Sequence, residues 1–145
     1  MLFRSGFHQI KETGRIRLFK SDRDEYADGE QKRDFFYVKD AVEMTLWLLE
    51  NRDANGIFNL GTGRAETWND LARALFKAMN VDENIEYIDM PDHLKGKYQY
   101  YTKAEIDKIR EAGYDKPIMS LEDAVADYVK NYLEPGKTVG EADSA

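Results

Sequence analysis

Two stretches decide the fold of this 145-residue chain: Arg33-Asp34-Phe35-Phe36-Tyr37-Val38-Lys39-Asp40 and Ile57-Phe58-Asn59-Leu60-Gly61-Thr62-Gly63. The aromatic and β-branched run Phe35–Val38 predicts a strand, and the first four residues of the second stretch predict another, which ends in a glycine turn. Between them, Asp40 with Glu43 three residues later predicts the N-cap of a helix. That helix is apolar most of the way round, which is typical of burial on more than one side.

Helices and strands alternate through the rest of the chain. Apolar residues at helical spacing predict a first helix that closes near Gly14 and a later one that starts at Thr67. Capping patterns predict two more helices, with the N-caps Thr102 and Ser120. The remaining predicted strands are Ile16–Phe19 and Ile85–Ile88. This alternation indicates the α/β class.

Composition limits the function classes. The length suits one globular domain, which we predict to span residues 1–134, with a flexible tail over 135–145. A formal net charge of -7 argues against a nucleic-acid-binding domain, which would present a basic face. The chain has no cysteine and only two histidines, so a metal centre is not expected. No apolar run approaches the ~20 residues that span a bilayer, so we expect a cytoplasmic protein that binds no membrane.

Four features could contribute to a ligand site. Arg33 closes a charged loop from Ser21 to Asp34, a length of loop that is often functional, and it could present a fork to a phosphate or simply pair with Asp34. His8 could bond a sugar hydroxyl or be an ordinary surface residue. The tyrosines near Tyr98 offer flat faces for a sugar or an adenine ring, or they pack in the core. The Gly61-Thr62-Gly63 turn does not fit a dinucleotide-binding glycine motif, because Glu66 stands where the third glycine should be.

Both opening stretches resemble the nucleotide-sugar epimerases of the extended short-chain dehydrogenase/reductase type, the NAD-dependent epimerase/dehydratase family. Three further segments are similar to the ADP-L-glycero-D-manno-heptose 6-epimerase branch of that family: Ile85-Glu86-Tyr87-Ile88, Leu94-Lys95-Gly96-Lys97-Tyr98-Gln99 and Ala112-Gly113-Tyr114-Asp115-Lys116-Pro117. The resemblance implies a bacterial isomerase of lipopolysaccharide core synthesis. Such an enzyme inverts C6 of an ADP-heptose by transient oxidation with bound NADP (NAD in some members) and forms homo-oligomers.

The resemblance also implies a set of substrate contacts: His8, Phe19, Lys20, Ser21, Asp22, Arg33 and Tyr98. Arg33 would pair with the pyrophosphate, and the Phe19–Asp22 segment would line the adenosine end. No catalytic, cofactor-binding or metal residue is implied within the chain, because the family's glycine-rich cofactor turn and catalytic Tyr-x-x-x-Lys pair find no match in it. The alternatives are another nucleotide-sugar epimerase or dehydratase, and a free-standing nucleotide-sugar-binding module.

We therefore expect a C-terminal, substrate-binding portion of such a reductase, with an N-terminal cofactor domain absent from the chain. The segment of about residues 35–63 would pack back on that domain and complete its Rossmann sheet. The chain alone would then be inactive, and its nearly all-round apolar helix would lose a neighbour. We expect poor solubility or self-association as a result.

Overall fold

Two parallel strands bring two distant loops to one edge of a small sheet. In the computed structural model, which describes residues 2–137, β1 (Ile16–Phe19) pairs with β4 (Ile85–Ile88), with Ile16 opposite Ile85 and Phe19 opposite Ile88. Parallel strands end at the same edge, so the loops that follow them leave the sheet side by side. Both predicted strands are confirmed. A second, antiparallel pair joins β2 (Lys32–Arg33) to β3 (Glu66–Thr67).

The larger core lies between β1 and three helices: α1 (Leu2–Thr13), α3 (Trp68–Met79) and α5 (Leu121–Tyr128), which continues as the π-helical segment Val129–Leu133. The predicted starts of α3 and α5 are confirmed. The Thr67 side chain accepts from the Asp70 amide, and the Ser120 side chain accepts from the Asp123 amide. These caps satisfy amides that a helix start otherwise leaves unpaired. The α/β class is confirmed, and these elements keep the end of β1 in place.

A smaller cluster forms between α2 (Val38–Glu50) and α4 (Asp107–Glu111). Met44 and Ile109 are completely buried in it, and the Tyr114 ring meets the Trp47 ring edge-on at 5.5 Å. This cluster shares no buried residue with the larger core. The helix predicted after Asp40 therefore exists and packs on one side.

The start of α2 differs from the prediction. Phe35–Val38 is not a strand, because the helix already begins at Val38 and the Phe35 ring packs against Trp68 at 5.0 Å. Asp40 is not the N-cap either. It lies in the first turn, buried, where its carboxylate accepts from the Met119 amide at 3.2 Å. Aromatic residues suit a strand and a packed helix entry equally well, so tertiary contacts decide between them.

Two more predicted features are absent from the described residues. Ile57–Leu60 forms no strand, and Ile57 is 88% exposed. A strand needs a paired neighbour, and no described strand lies against this segment. Helix α2 is buried on one side only, since Val38, Val42, Leu46 and Leu49 are all at least half exposed.

The Thr102 capping prediction is also wrong. Helix α4 begins at Asp107 without a side-chain cap, and the Thr102 hydroxyl accepts from the Asp34 amide at 3.4 Å instead. The predicted stop is confirmed, because α4 ends at Glu111, just before Gly113 with its φ of 108°. Most of the predicted tail, residues 138–145, lies outside the described residues.

Candidate functional site

The candidate site lies where β1 and β4 end. The loop after β1 starts at Lys20, whose amide donates to the Ile88 carbonyl at 2.8 Å. The loop after β4 leads to Tyr98 and Tyr100. Ligands of open α/β sheets commonly bind at the carboxyl ends of the strands, because loops of variable sequence converge there. Six of the seven predicted contacts lie on these two loops, on the last residue of β1 or on β2.

Aromatic rings form a continuous row across this edge. Ring centroids are 6.2 Å apart between Phe19 and Tyr98, 5.8 Å between Tyr98 and Tyr100, and 5.0 Å between Tyr100 and Tyr26. Burial raises the pKa of Tyr98, against the opposing effect of the nearby Arg33 charge. The hydroxyl therefore stays protonated and keeps a proton to donate at neutral pH.

Arg33 lies against two aromatic rings, that of Tyr98 from this row and that of Trp68. Its guanidinium lies 5.4 Å from the Tyr98 ring centre and 6.0 Å from that of Trp68. It donates to the backbone carbonyls of Lys32, at 2.8 Å, and Gln99. An arginine has five N–H donors, so donors remain for a ligand. Arg33 does not form an ion pair with Asp34, because the Asp34 carboxylate is hydrogen-bonded to the glycine turn and to the Ala104 amide.

Asp34 instead fills the glycine turn. Its carboxylate accepts from the amides of Thr62 at 2.9 Å, Gly63 at 3.1 Å and Ala104 at 3.0 Å, and from the Thr62 hydroxyl at 2.6 Å. A Cβ on Gly61 would come within 2.8 Å of this carboxylate. The amides that could bind a phosphate are therefore already used. This glycine turn therefore does not fit the pyrophosphate of a dinucleotide cofactor.

Asp22 ties the two loops together. Its carboxylate accepts from the Tyr100 hydroxyl and, at 3.1 Å, from the Gly96 amide, while its own amide donates to the Tyr100 oxygen at 2.8 Å. The Tyr100 hydrogen bond, followed by that of Gly96, holds the pKa of Asp22 below its usual value. The carboxylate is thus ionised and committed to the protein.

Its neighbours are also engaged. Ser21 Oγ donates to the Arg23 carbonyl at 2.8 Å, and Lys20 pairs with Asp89 at 3.0 Å. Both Lys20 and Asp89 are exposed, so this pair is weak and can open for a ligand. The structure therefore brings Phe19, Lys20, Ser21, Asp22, Arg33 and Tyr98 together.

His8 lies apart from this group in the contacts of the described residues. It is on the exposed side of α1, and its ring meets that of Phe7 at 5.5 Å. This ring contact is within α1 and not with the loops that follow β1 and β4, and the role of His8 as a substrate contact stays a prediction. Among residues 2–137, no group of three acidic or histidine side chains is placed to hold a metal, and no helix is long and apolar enough to cross a membrane.

Two site residues escaped the sequence reasoning. Gln31 and Trp68 line a cavity of about 30 Å³, together with Arg17, Leu18, Phe19 and Tyr98. Gln31 is only 1% exposed, although it closes a loop of charged residues. The sequence indicates only that Trp68 packs against the core, because it belongs to the apolar stripe of α3, whose first residue it is.

Several known proteins are similar to this chain. Residues 4–61 match the family model described as the NAD dependent epimerase/dehydratase family. An ADP-L-glycero-D-manno-heptose-6-epimerase of Nitratidesulfovibrio vulgaris (strain DP4) is 54% identical over 127 residues, covering 88% of this chain and 39% of that relative. One of Fusobacterium nucleatum is 47% identical over 133 residues, covering 88% of this chain and 40% of that relative. The chain thus spans about two fifths of the length of the curated relatives it matches.

Solved structures show the same fold. The ADP-L-glycero-D-manno-heptose-6-epimerase of Helicobacter pylori superposes with a TM-score of 0.68 at 23% identity, covering 89% of this chain and 36% of that chain. RMD of Pseudomonas aeruginosa, complexed with NADPH, gives 0.71 at 16% identity, covering 93% of this chain and 43% of that chain. Together with the curated relatives, these matches confirm the resemblance read from the motifs. Over residues 4–61 the chain is similar to the NAD dependent epimerase/dehydratase family, and over 88% of its length it is similar to part of the ADP-L-glycero-D-manno-heptose-6-epimerases.

Proposed function

We propose that these residues form the substrate-binding part of an ADP-L-glycero-D-manno-heptose 6-epimerase. The observation that carries the proposal is Arg33, a guanidinium held between two rings at the ends of parallel strands with N–H groups to spare. A planar fork of this kind suits the oxygens of a pyrophosphate. The 54% identity to a heptose epimerase favours an ADP-sugar as the compound that carries it.

The surrounding residues suit the rest of such a ligand. Phe19 and Tyr98 offer apolar ring faces to a base or a sugar, and the Tyr98 hydroxyl offers a hydrogen bond. Lys20 can exchange its exposed partner Asp89 for a ligand oxygen. In this arrangement the protein binds and orients the ADP-sugar, and His8 completes the set of contacts.

The chemistry itself would depend on a nicotinamide cofactor, which we propose to be NADP and to be bound by residues other than those described. When bound, it supplies the hydride chemistry by which C6 of the heptose is inverted. We further propose that the segment of about residues 35–63 packs on the cofactor-binding part, that the enzyme is a cytoplasmic homo-oligomer, and that this chain alone lacks epimerase activity.

Thermal unfolding of the chain tests the binding proposal with ADP-glucose as the ADP-sugar probe. A ligand at 100-fold its Kd adds about 2.7 kcal/mol to the stability of the folded state, which raises the Tm by several degrees. We expect such a shift for the wild type and for Arg52→Ala, which removes an exposed arginine after α2. We expect none for Arg33→Ala.

The other outcomes separate the alternatives. A shift with UDP-glucose and none with ADP-glucose would indicate another nucleotide-sugar epimerase or dehydratase. A shift with neither sugar nucleotide would contradict the proposed function. An assay of C6 inversion on ADP-heptose with added NADP tests the inactivity of the chain alone, and turnover would refute that part.

A further inference from the structure

The side-chain nitrogen of a buried glutamine at the candidate site has no hydrogen-bond partner among residues 2–137. Gln31 is 1% exposed, and its Nε2 is enclosed without an acceptor. Buried polar groups in folded proteins nearly always have a partner, so an orphan of this kind points to a group that the chain does not itself supply. The cavity that Gln31 lines is the place where such a group fits.

Backbone hydrogen bonds hold the main chain at Gln31 and at the residues on either side of it. Its carbonyl accepts from the Trp68 amide at 3.2 Å, at the start of α3. On the next residue, the Lys32 amide donates to the Tyr100 carbonyl at 2.8 Å. The residue before it is also held, since the Glu30 amide donates to the Ala27 carbonyl at 3.0 Å. Because the side chain is also 1% exposed, its amide is separated from solvent.

The cavity is small, and three of its six lining residues are aromatic. Its volume of about 30 Å³ is above the ~10–15 Å³ that one water molecule needs, so a small part of a ligand, such as the edge of a ring, fits in it. Phe19, Trp68 and Tyr98 line it. The indole N–H of Trp68 lies near the Tyr98 hydroxyl and opposes the rise in its pKa that burial causes, but it does not complete a hydrogen bond. Two buried donors thus stand beside aromatic walls.

The cavity also adjoins the proposed phosphate contact. Trp68 and Tyr98, which line it, are the same two rings that flank the Arg33 guanidinium. A ligand with its pyrophosphate on Arg33 therefore has its attached groups within reach of the cavity. A nucleobase has a flat face for the rings and acceptor atoms on its edge for an amide N–H.

We propose that Gln31 is a ligand-binding residue that donates from Nε2 to an acceptor on the edge of the nucleotide base. The proposal rests on the proposed nucleotide-binding function and adds to it a contact that no motif of the chain indicates. The base edge enters the cavity between Phe19 and Trp68, while Arg33 holds the phosphates. The amide then contributes to the affinity for the base and not to that for the phosphates.

Titration calorimetry with ADP and with inorganic pyrophosphate tests whether Gln31 contacts the base and Arg33 the phosphates. Gln31→Met keeps the length of the side chain and removes the amide. We expect it to weaken ADP binding about ten-fold, or about 1.4 kcal/mol, and to leave pyrophosphate binding unchanged. Asn55→Ala, which removes an exposed amide after α2, should change neither. Arg33→Ala should weaken both.

Each contrary result has its own meaning. Unchanged ADP affinity in Gln31→Met would show that the cavity holds only water, and equal losses for ADP and pyrophosphate would show a general disturbance of the site. Either overturns the base contact and leaves nucleotide binding intact. If the wild type binds neither probe, the proposed function fails and this contact fails with it.

A second measurement needs no variant. ADP analogues in which a ring nitrogen of the adenine is replaced by C–H remove one acceptor at a time. We expect one of the 1-deaza, 3-deaza and 7-deaza analogues to bind the wild-type chain about ten-fold more weakly than ADP. Equal binding of all three analogues and ADP would overturn the proposal even if Gln31→Met does not fold.

Discussion

Replacing Tyr114 with Phe should stabilise this protein, although the residue is almost completely buried. Tyr114 is 1% exposed, and its hydroxyl has no hydrogen-bond partner in the described part of the chain, residues 2–137. The ring is well placed, edge-on to Trp47 at 5.5 Å and 5.1 Å from the Arg110 guanidinium. Removing the oxygen keeps both ring contacts and removes the one unsatisfied group.

The magnitude follows from the cost of an unpaired buried group. Leaving a buried donor or acceptor without a partner costs roughly 1–3 kcal/mol of stability. Removing the oxygen recovers this cost, but the small void that it leaves loses some van der Waals contacts and offsets part of the gain. We therefore expect Tyr114→Phe to raise the free energy of unfolding by about 1 kcal/mol. For a chain of this size that corresponds to a Tm increase of roughly 2–4 °C.

Tyr100→Phe is the matched control, because the same atom is removed from a hydroxyl that is fully used. The Tyr100 oxygen accepts from the Asp22 amide at 2.8 Å, and its proton goes to the Asp22 carboxylate. We expect Tyr100→Phe to lower the free energy of unfolding, by less than is typical of a hydrogen bond to a charged group, because Asp22 is exposed and water can replace the partner.

Urea unfolding of the two variants and the wild type, at low protein concentration, measures both signs in one experiment. A stabilised Tyr114→Phe beside a destabilised Tyr100→Phe confirms the reasoning. A loss of 1 kcal/mol or more in Tyr114→Phe would refute it, since the hydroxyl would then have to be hydrogen-bonded in solution.

Three further predictions follow from other contacts. Leu49→Lys should reduce self-association in sedimentation velocity, because Leu49 is 72% exposed on the apolar side of α2; unchanged association would exclude that side as the contact. Asp34→Asn should lower the free energy of urea unfolding by about 2 kcal/mol, because an NH₂ group replaces an oxygen that accepts from amides; a neutral effect would contradict the anchoring role. Lys39 first, and then Tyr37, lowers the pKa of Asp127. A lowered carboxylate pKa stabilises the fold above the unfolded-state pKa of about 3.9, so the stability difference between wild type and Asp127→Asn should shrink as pH falls below about 4; a constant difference in melts from pH 3 to 7 would argue against it.

The elements that the sequence predicts correctly are those whose local signals agree with their surroundings. Ile16–Phe19 and Ile85–Ile88 have strand-forming residues and find each other as partners. Thr67 and Ser120 have an acidic residue three positions later, and both cap a helix. Thr102 carries a similar pattern, but its hydroxyl accepts from the Asp34 amide. A capping pattern states only what a side chain can do, and long-range contacts decide what it does.

The candidate site also contains residues that the sequence predicts and one that it does not. Arg33, Tyr98 and the Phe19–Asp22 segment could be named from a resemblance, and the structure places them at one edge. Gln31 could not, because a polar residue in a charged loop is expected in water. Its carbonyl accepts from the amide of Trp68, a residue far away in the sequence, and its side chain is buried at that contact.

The neighbours Arg33 and Asp34 show how one short motif can hold a ligand site together. Side chains of successive residues in extended chain point to opposite sides. Arg33 faces the rings of Tyr98 and Trp68, while Asp34 faces the Thr62 and Gly63 amides. The anion that the glycine turn binds is therefore the Asp34 carboxylate and not a ligand. Because that bond fixes the backbone one residue from Arg33, the turn helps to position the proposed phosphate contact without taking part in it.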